Sequence, residues 1–357
     1  MNLEFGFTGV PNFGKVLFVA SGGLLGALAM YVAALYLRFG DLHYRDIFES
    51  SPQASLDIYR HLFIPDPLSA VALGLLMVAV GGASAAAFGY LASFPAIRLR
   101  EDYLGMLLLG LAELFATIAA YWTYPAGGPE NLALPDVLTA FGQDEKYVIL
   151  VIFAAFATLV YLYAERVARS PLGRTLKAVR DNEIASESLG KDNVNVRRKI
   201  LVIASGLSGV AGALWVMYQS EQGVIIGGDA MSTFPRLLFT FYPFTIVILG
   251  GIASNFGVVV GAVALTGVYV VTTDSLPSLV SSVNVPWINQ GLMNDFINSL
   301  QYIIIGGLLL AILLLRPEGV IREKPSFALP KKKLKQIAES IAGMAGKPAE
   351  QKDPPSP

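Results

Sequence analysis

The sequence predicts an all-α integral membrane protein, a polytopic helical bundle of about eight spans with room for a re-entrant or broken helix. Three observations carry that reading. Hydrophobic residues fill 54% of the 357 positions and charged residues only 15%, whereas a soluble domain has roughly a quarter of its residues charged. Apolar runs of about 20 residues, enough to cross about 30 Å of hydrocarbon at about 1.5 Å per residue, recur along the chain. Lys and Arg gather in alternate connecting segments, as the retention of basic residues on the cytoplasmic side requires.

Taken in order, the spans fall at 16–37, 68–90, 103–124, 147–164, 200–218, 237–256, 257–274 and 299–315. The first and fifth carry closely spaced glycines, and the third carries an acid. Only Ser254-Asn255-Phe256-Gly257 separates the sixth from the seventh, either as a tight turn or as a break in one longer stretch. With both termini on the cytoplasmic side, Lys15, the 91–102 turn, the 165–199 loop and the tail after Leu315 lie inside and hold 21 of the 26 basic residues. The outside segments 38–66, 125–146, 219–236 and 275–298 hold the other five, against twelve acids.

Several function classes drop out at this stage. A net charge of −1 suggests no nucleic-acid partner, and two His with no Cys remove thiolate metal sites, disulfides and thiol catalysis. No nucleophile–base arrangement or metal set is present, so the chain is not read as an enzyme. Residues 9–16, GVPNFGKV, spell the opening of a phosphate-binding loop, but Val16 stands where a Ser or Thr would hold Mg²⁺. Asn12-Phe13-Gly14 recurs as Asn255-Phe256-Gly257, a three-residue echo too short to establish a repeat.

Within the spans, Glu113 in LGLAELFATIAAYW is the one ionisable residue away from an end. An acid at the bilayer centre costs about 2.5–3.5 kcal/mol, so its expected place is a bundle interior or a wet path. A single acid is poor support for ion-coupled transport. Gly22, Gly23, Gly26, Gly206, Gly209, Gly212, Gly257 and Gly261 fit close helix packing, which in lipid relies on small residues. Gly250 and Gly251, with Asn255 and Gly257, suit an unwound segment lining a cavity.

The stretch SPLGRTLKAVRDNEIASESLGKDNVNVRRK, residues 170–199, reads as a compact knob of two short amphipathic helices. Pro171 ends the preceding span, while Leu172, Leu176 and Val179 share one helical face. Asp181 or Asn182 caps a second helix that ends at Gly190, a residue suited to a left-handed position.

Residues 173–214, GRTLKAVRDNEIASESLGKDNVNVRRKILVIASGLSGVAGAL, resemble the signature region of permease subunits of branched-chain amino acid ABC importers, the LivM/LivH type. NLEFGFTGVPNFGKVLFVASGGLLGAL, IRLREDYLGMLLLGLAELF, VILGGIASNFGVVVGA and ILLLRPEGVI are similar to other segments of that family, in order, over residues 1 to about 323. The resemblance displaces the phosphate-loop reading, because the family's ATP sites lie on separate subunits.

What it implies is a transport subunit in the cytoplasmic membrane of a prokaryote. Its partners would be a second homologous permease, two ATP-binding subunits carrying ATP and Mg, and an extracytoplasmic solute-binding protein. The family's contact with the ATPase carries over to Gly173, Arg174, Ala178, Arg180, Asn182, Glu183, Ala185 and Gly190. Glu113 matches the family's acidic position, and Arg98 and Tyr103 match the segment before it. With Gly250, Gly251 and Asn255 these form the expected translocation path.

Two departures stand out: the stretch at 125–135 matches the family's Gly-rich segment poorly, and the 38–66 insert is longer than expected. The permease domain is read as 1–323. A Lys/Pro-rich tail follows at 324–357, with Lys331, Lys332, Lys333 and Lys335 suited to anionic lipid headgroups and the end disordered. Urea or short amides are alternative solutes, and a self-sufficient ion-coupled carrier or channel is the rival class.

Overall fold

The computed structural model describes residues 1–39, 67–96, 101–122, 137–221 and 233–271, with single positions between 299 and 323. The chain divides into one compact unit, Met1–Arg322, and a second, Glu323–Pro357, of which only Glu323 is described. Arg98, the 41–66 stretch, residues 125–135 and the Lys-rich tail lie outside the described residues.

A short π-helical turn, Asn2–Gly6, precedes α1 (Lys15–Phe39). Then come α2 (Pro67–Ala96), α3 (Glu101–Tyr121), α4 (Glu145–Arg169), α5 (Pro171–Asp181), α6 (Glu183–Ser188) and α7 (Asn193–Glu221). A second π-helical turn, Leu237–Phe241, leads into α8 (Tyr242–Gly250), and α9 is Asn255–Val270. Helices are the expected solution, because hydrocarbon offers no partner for an unpaired backbone N–H or C=O.

The centre of the bundle is the trio α1, α2 and α7, which share the most extensive contacts. Backbone meets backbone there. A side chain at Gly22 would strike Gly209, one at Gly81 would strike the Gly22 carbonyl, and one at Gly212 would strike the Val19 carbonyl. Around that seam Phe18, Tyr31, Met77, Leu108 and Phe234 are fully buried. By contrast α4 buries almost none of its length within the chain, leaving Leu150, Val151, Leu159 and Leu162 exposed.

Among the described residues, five helices are long and apolar enough to cross a membrane, within Lys15–Ala34, Pro67–Pro95, Tyr103–Tyr121, Thr139–Arg169 and Asn193–Ser220. They match the first five expected spans. The sixth and seventh, Leu237–Gly250 and Asn255–Val270, form one pair bent by 119°, the break that is one of the two readings of 254–257. The described positions between 299 and 315 are helical, but most of the eighth expected span lies outside the described residues.

The bend has local causes. Gly251 at φ 118 stops α8, Ala253 takes φ 59, and the Ser254 hydroxyl caps α9 by accepting from the Gly257 N–H at 3.1 Å. Two terminal carbonyls of α8 find partners from far along the chain. Val320 N–H donates to Leu249 O at 2.9 Å and Ile321 N–H to Gly250 O at 3.0 Å. Gly319, at φ 75, lets that segment lie directly on Gly251.

Candidate functional site

Before α1 the chain folds over its own first turn. Glu4 is 2% exposed, and its carboxylate accepts from Lys15 Nζ at 2.6 Å, Asn12 Nδ2 at 2.8 Å and the terminal ammonium at 3.2 Å. Lys15 also donates to Ala204 O on α7 at 3.4 Å. Burial alone pushes the Glu4 carboxyl up, yet the two ammonium groups and the hydrogen bonds from Lys15 and Asn12 outweigh it and hold the group at about 2. The lysine of GVPNFGKV therefore points inward to a carboxylate rather than outward to a phosphate. Lys15 is thus a buried, paired charge and not a solvated one.

The knob has the two helices that the sequence predicts. Ser170 caps α5 by accepting from Gly173 N–H at 3.3 Å, with Pro171 in the first turn where its missing donor is harmless. Asn182 ends α5 in extended geometry and caps α6 by accepting from Ala185 N–H at 3.0 Å. Gly190 takes φ 74, and Asp192 caps α7 by accepting from Asn195 N–H at 2.9 Å.

The knob's inner face is anchored. Leu176 and Val179 are buried, and Leu176 packs with Leu3, Phe7, Val167, Ile200 and Ala253. Arg180 donates to Gly6 O at 2.7 Å, and Lys177 lies over the Phe7 ring at 5.3 Å. Glu183 accepts from Arg197 at 2.8 Å, while its carbonyl accepts from Asn193 at 2.9 Å. Gly173 is buried in the α4–α5 corner, where a side chain would strike the Ala168 carbonyl. Arg174, Ala178, Asn182, Glu183, Ala185 and Gly190 are exposed.

Two exposed residues escaped sequence reasoning. Ile184 and Leu189 are 78% and 79% exposed at the tip of the knob. The available signal was apolar side chains in an otherwise polar helix, EIASESLG.

Gly250, Gly251 and Asn255 come together, but protein fills the space beside them. Asn2 accepts from Ala253 N–H at 3.1 Å and donates to Asn255 Oδ1 at 2.8 Å; Asn255 in turn donates to Glu165 at 3.1 Å. Gly250 packs on the Gly257 backbone. The break thus adjoins the knob and the N-terminal turn.

Glu113 is elsewhere. It sits at the midpoint of the span Tyr103–Tyr121, its side chain 48% exposed, and Arg236 Nη2 donates to Oε1 at 3.1 Å. Within this chain it therefore lies on an outer face of α3, not in the bundle interior that its charge suggested. Tyr103, 62% exposed, lies nearer the start of the same helix. Arg236 was missed, having been counted in an outside loop.

No solved structure matches this chain. A "Probable branched-chain amino acid transport permease protein LivM" of Methanocaldococcus jannaschii is 33% identical over 349 residues, 95% of this chain and 93% of the relative. The "High-affinity branched-chain amino acid transport system permease protein LivM" of Escherichia coli K12 is 27% identical over 267 residues, 68% of this chain and 56% of the relative. A Salmonella typhimurium protein of the same name matches to the same extent. Residues 1–313 match the family model described as "Branched-chain amino acid transport system / permease component". A family match along nearly the whole bundle, joined to five membrane-length helices, places this multi-pass membrane chain in the family of branched-chain amino acid transport permease components.

Proposed function

We propose that this chain moves branched-chain amino acids inward across the cytoplasmic membrane as one of two permease subunits. Two partner ATPase chains, which hold the ATP and Mg, drive it, and an extracytoplasmic binding protein delivers the solute. The knob of residues 170–190 faces the cytoplasm with both termini and docks the ATPase.

One observation carries this reading: the knob pairs an anchored inner face with a bare apolar tip. Leu176 and Val179 are buried, whereas Ile184 and Leu189 stand in solvent. Apolar tip residues suit a partner surface, and an anchored base transmits a push as a rigid body. The tip tests this better than Glu183 or Arg180, whose loss also disturbs the knob's own bonds to Arg197 and Gly6.

The experiment is co-purification with the partner chains, followed by leucine uptake into proteoliposomes charged with ATP and binding protein. Wild type is expected to take up leucine only with ATP inside. Ile184→Asp with Leu189→Asp is expected to insert normally and lose the ATPase chains. Uptake that continues without ATP would replace this reading with the ion-coupled carrier; uptake of urea or amides in place of leucine would change the solute.

A further inference from the structure

We infer that Glu113 and Arg236 form a subsite in the translocation path for the charged end of an α-amino acid, Arg236 for its carboxylate and Glu113 for its ammonium. The inference rests on the proposed amino-acid transport and adds where, within the membrane, the solute is gripped.

Both side chains are nearly half exposed, 48% and 45%, and Glu113, to which Arg236 reaches, stands at mid-span. Charged groups do not persist against acyl chains at that depth; they face water or protein. This side of α3 is therefore not a lipid face.

The pair is also under-used. One N–H···O contact joins it, from Arg236 Nη2 to Glu113 Oε1. Among the described residues, the second carboxylate oxygen and the rest of the guanidinium fork have no partner. A zwitterion carries one positive and one negative group on the same carbon, so it can part this pair and satisfy both halves without changing the net charge. The planar guanidinium fork suits a carboxylate, held by two parallel bonds.

The surroundings fit the rest of the solute. Gly110, one turn below Glu113, has nothing within 4 Å of where a side chain would begin. Leu114 and Ile118, 55% and 52% exposed, present apolar surface on the same helix for an aliphatic side chain. Arg236 directly precedes the Leu237–Phe241 turn and α8, whose far end adjoins the knob. A knob movement carried by α8 would draw Arg236 away from Glu113 and release the solute.

The test uses the assembled complex in lipid nanodiscs without binding protein, and measures retention of labelled leucine against isoamylamine, which lacks the carboxylate, and 4-methylpentanoate, which lacks the ammonium. Wild type is expected to bind leucine at least about tenfold more tightly than either, the effect of one charge-assisted contact. Arg236→Gln should erase the preference over isoamylamine alone, and Glu113→Gln the preference over 4-methylpentanoate alone. A purely structural pair would lower all three together, or lower recovery of the complex, and either result overturns the inference. So does a wild-type complex that imports leucine yet retains none. Failure to import leucine at all would instead strike the proposed function.

Discussion

Glu4 and Lys15 are separated by eleven residues and close a buried pair at 2.6 Å. Removing one partner from such a pair strands the other, at about 3–5 kcal/mol, whereas replacing both with apolar groups is often close to neutral. Lys15→Met is therefore expected to lower the thermal midpoint in detergent sharply, and Lys15→Met with Glu4→Leu to recover much of it. A double variant no better than the single would show that the charge itself, not its pairing, is needed. The pH dependence follows from the depressed carboxyl. With an unfolded value of 4.5 and a folded value of about 2, Glu4 contributes stability fully above 4.5, and that contribution is lost as pH falls toward 2. A melting temperature that declines as pH falls below 4.5 in wild type, and declines less in Glu4→Leu with Lys15→Met, is the expected result.

Among the elements, the knob stands on two small devices. Losing the Asn182 cap should cost about 1 kcal/mol, and Gly190→Ala about 1–2 kcal/mol, because φ 74 is unfavourable for any side chain. Limited proteolysis of Asn182→Ala and Gly190→Ala should show faster cutting within 182–192 while the bundle stays resistant; equal cutting of both regions would mean the knob is not an independent element. The α1–α2–α7 seam is less forgiving. Gly209→Val would drive atoms into Ala85 and the Gly81 carbonyl, and it is expected to prevent stable insertion, read as loss of folded protein in membranes.

Across the whole molecule, a line of bonds runs from the knob to the bent pair. Arg180 holds Gly6, Asn2 holds Ala253 and Asn255, and Asn255 holds Glu165 at the end of α4. Under the proposed function, Asn255→Ala should leave the complex assembled and hydrolysing ATP but reduce the leucine moved per ATP severalfold. An unchanged ratio would show that the knob acts on the bundle by another route. The closing segment belongs to the same junction, since Val320 and Ile321 pair with the end of α8. That gives Gly319, Val320 and Ile321 a structural purpose: completing a broken helix.

Local signals made the helices, the knob and its caps legible in the sequence, because Pro171, Asn182 and Gly190 act within one turn of where they stand. Span length and basic-residue asymmetry similarly fix a multi-pass helical chain, since both follow from the bilayer rather than from any contact. Tertiary structure alone decided the rest. Lys15 counts as one more cytoplasmic basic residue until Glu4 and Asn12 close over it, and Arg236 as a loop residue until it meets Glu113 across 123 positions. The sequence marked a break at 254–257, and Gly251, Ala253 and Ser254 turn the chain there, but the contacts of Asn2, Gly6 and Gly319–Ile321 that cover the 119° bend come from far along the chain on both sides. Long-range pairs of this kind leave no period or spacing in a single chain, which is why hydropathy found the helices and could not find the junction.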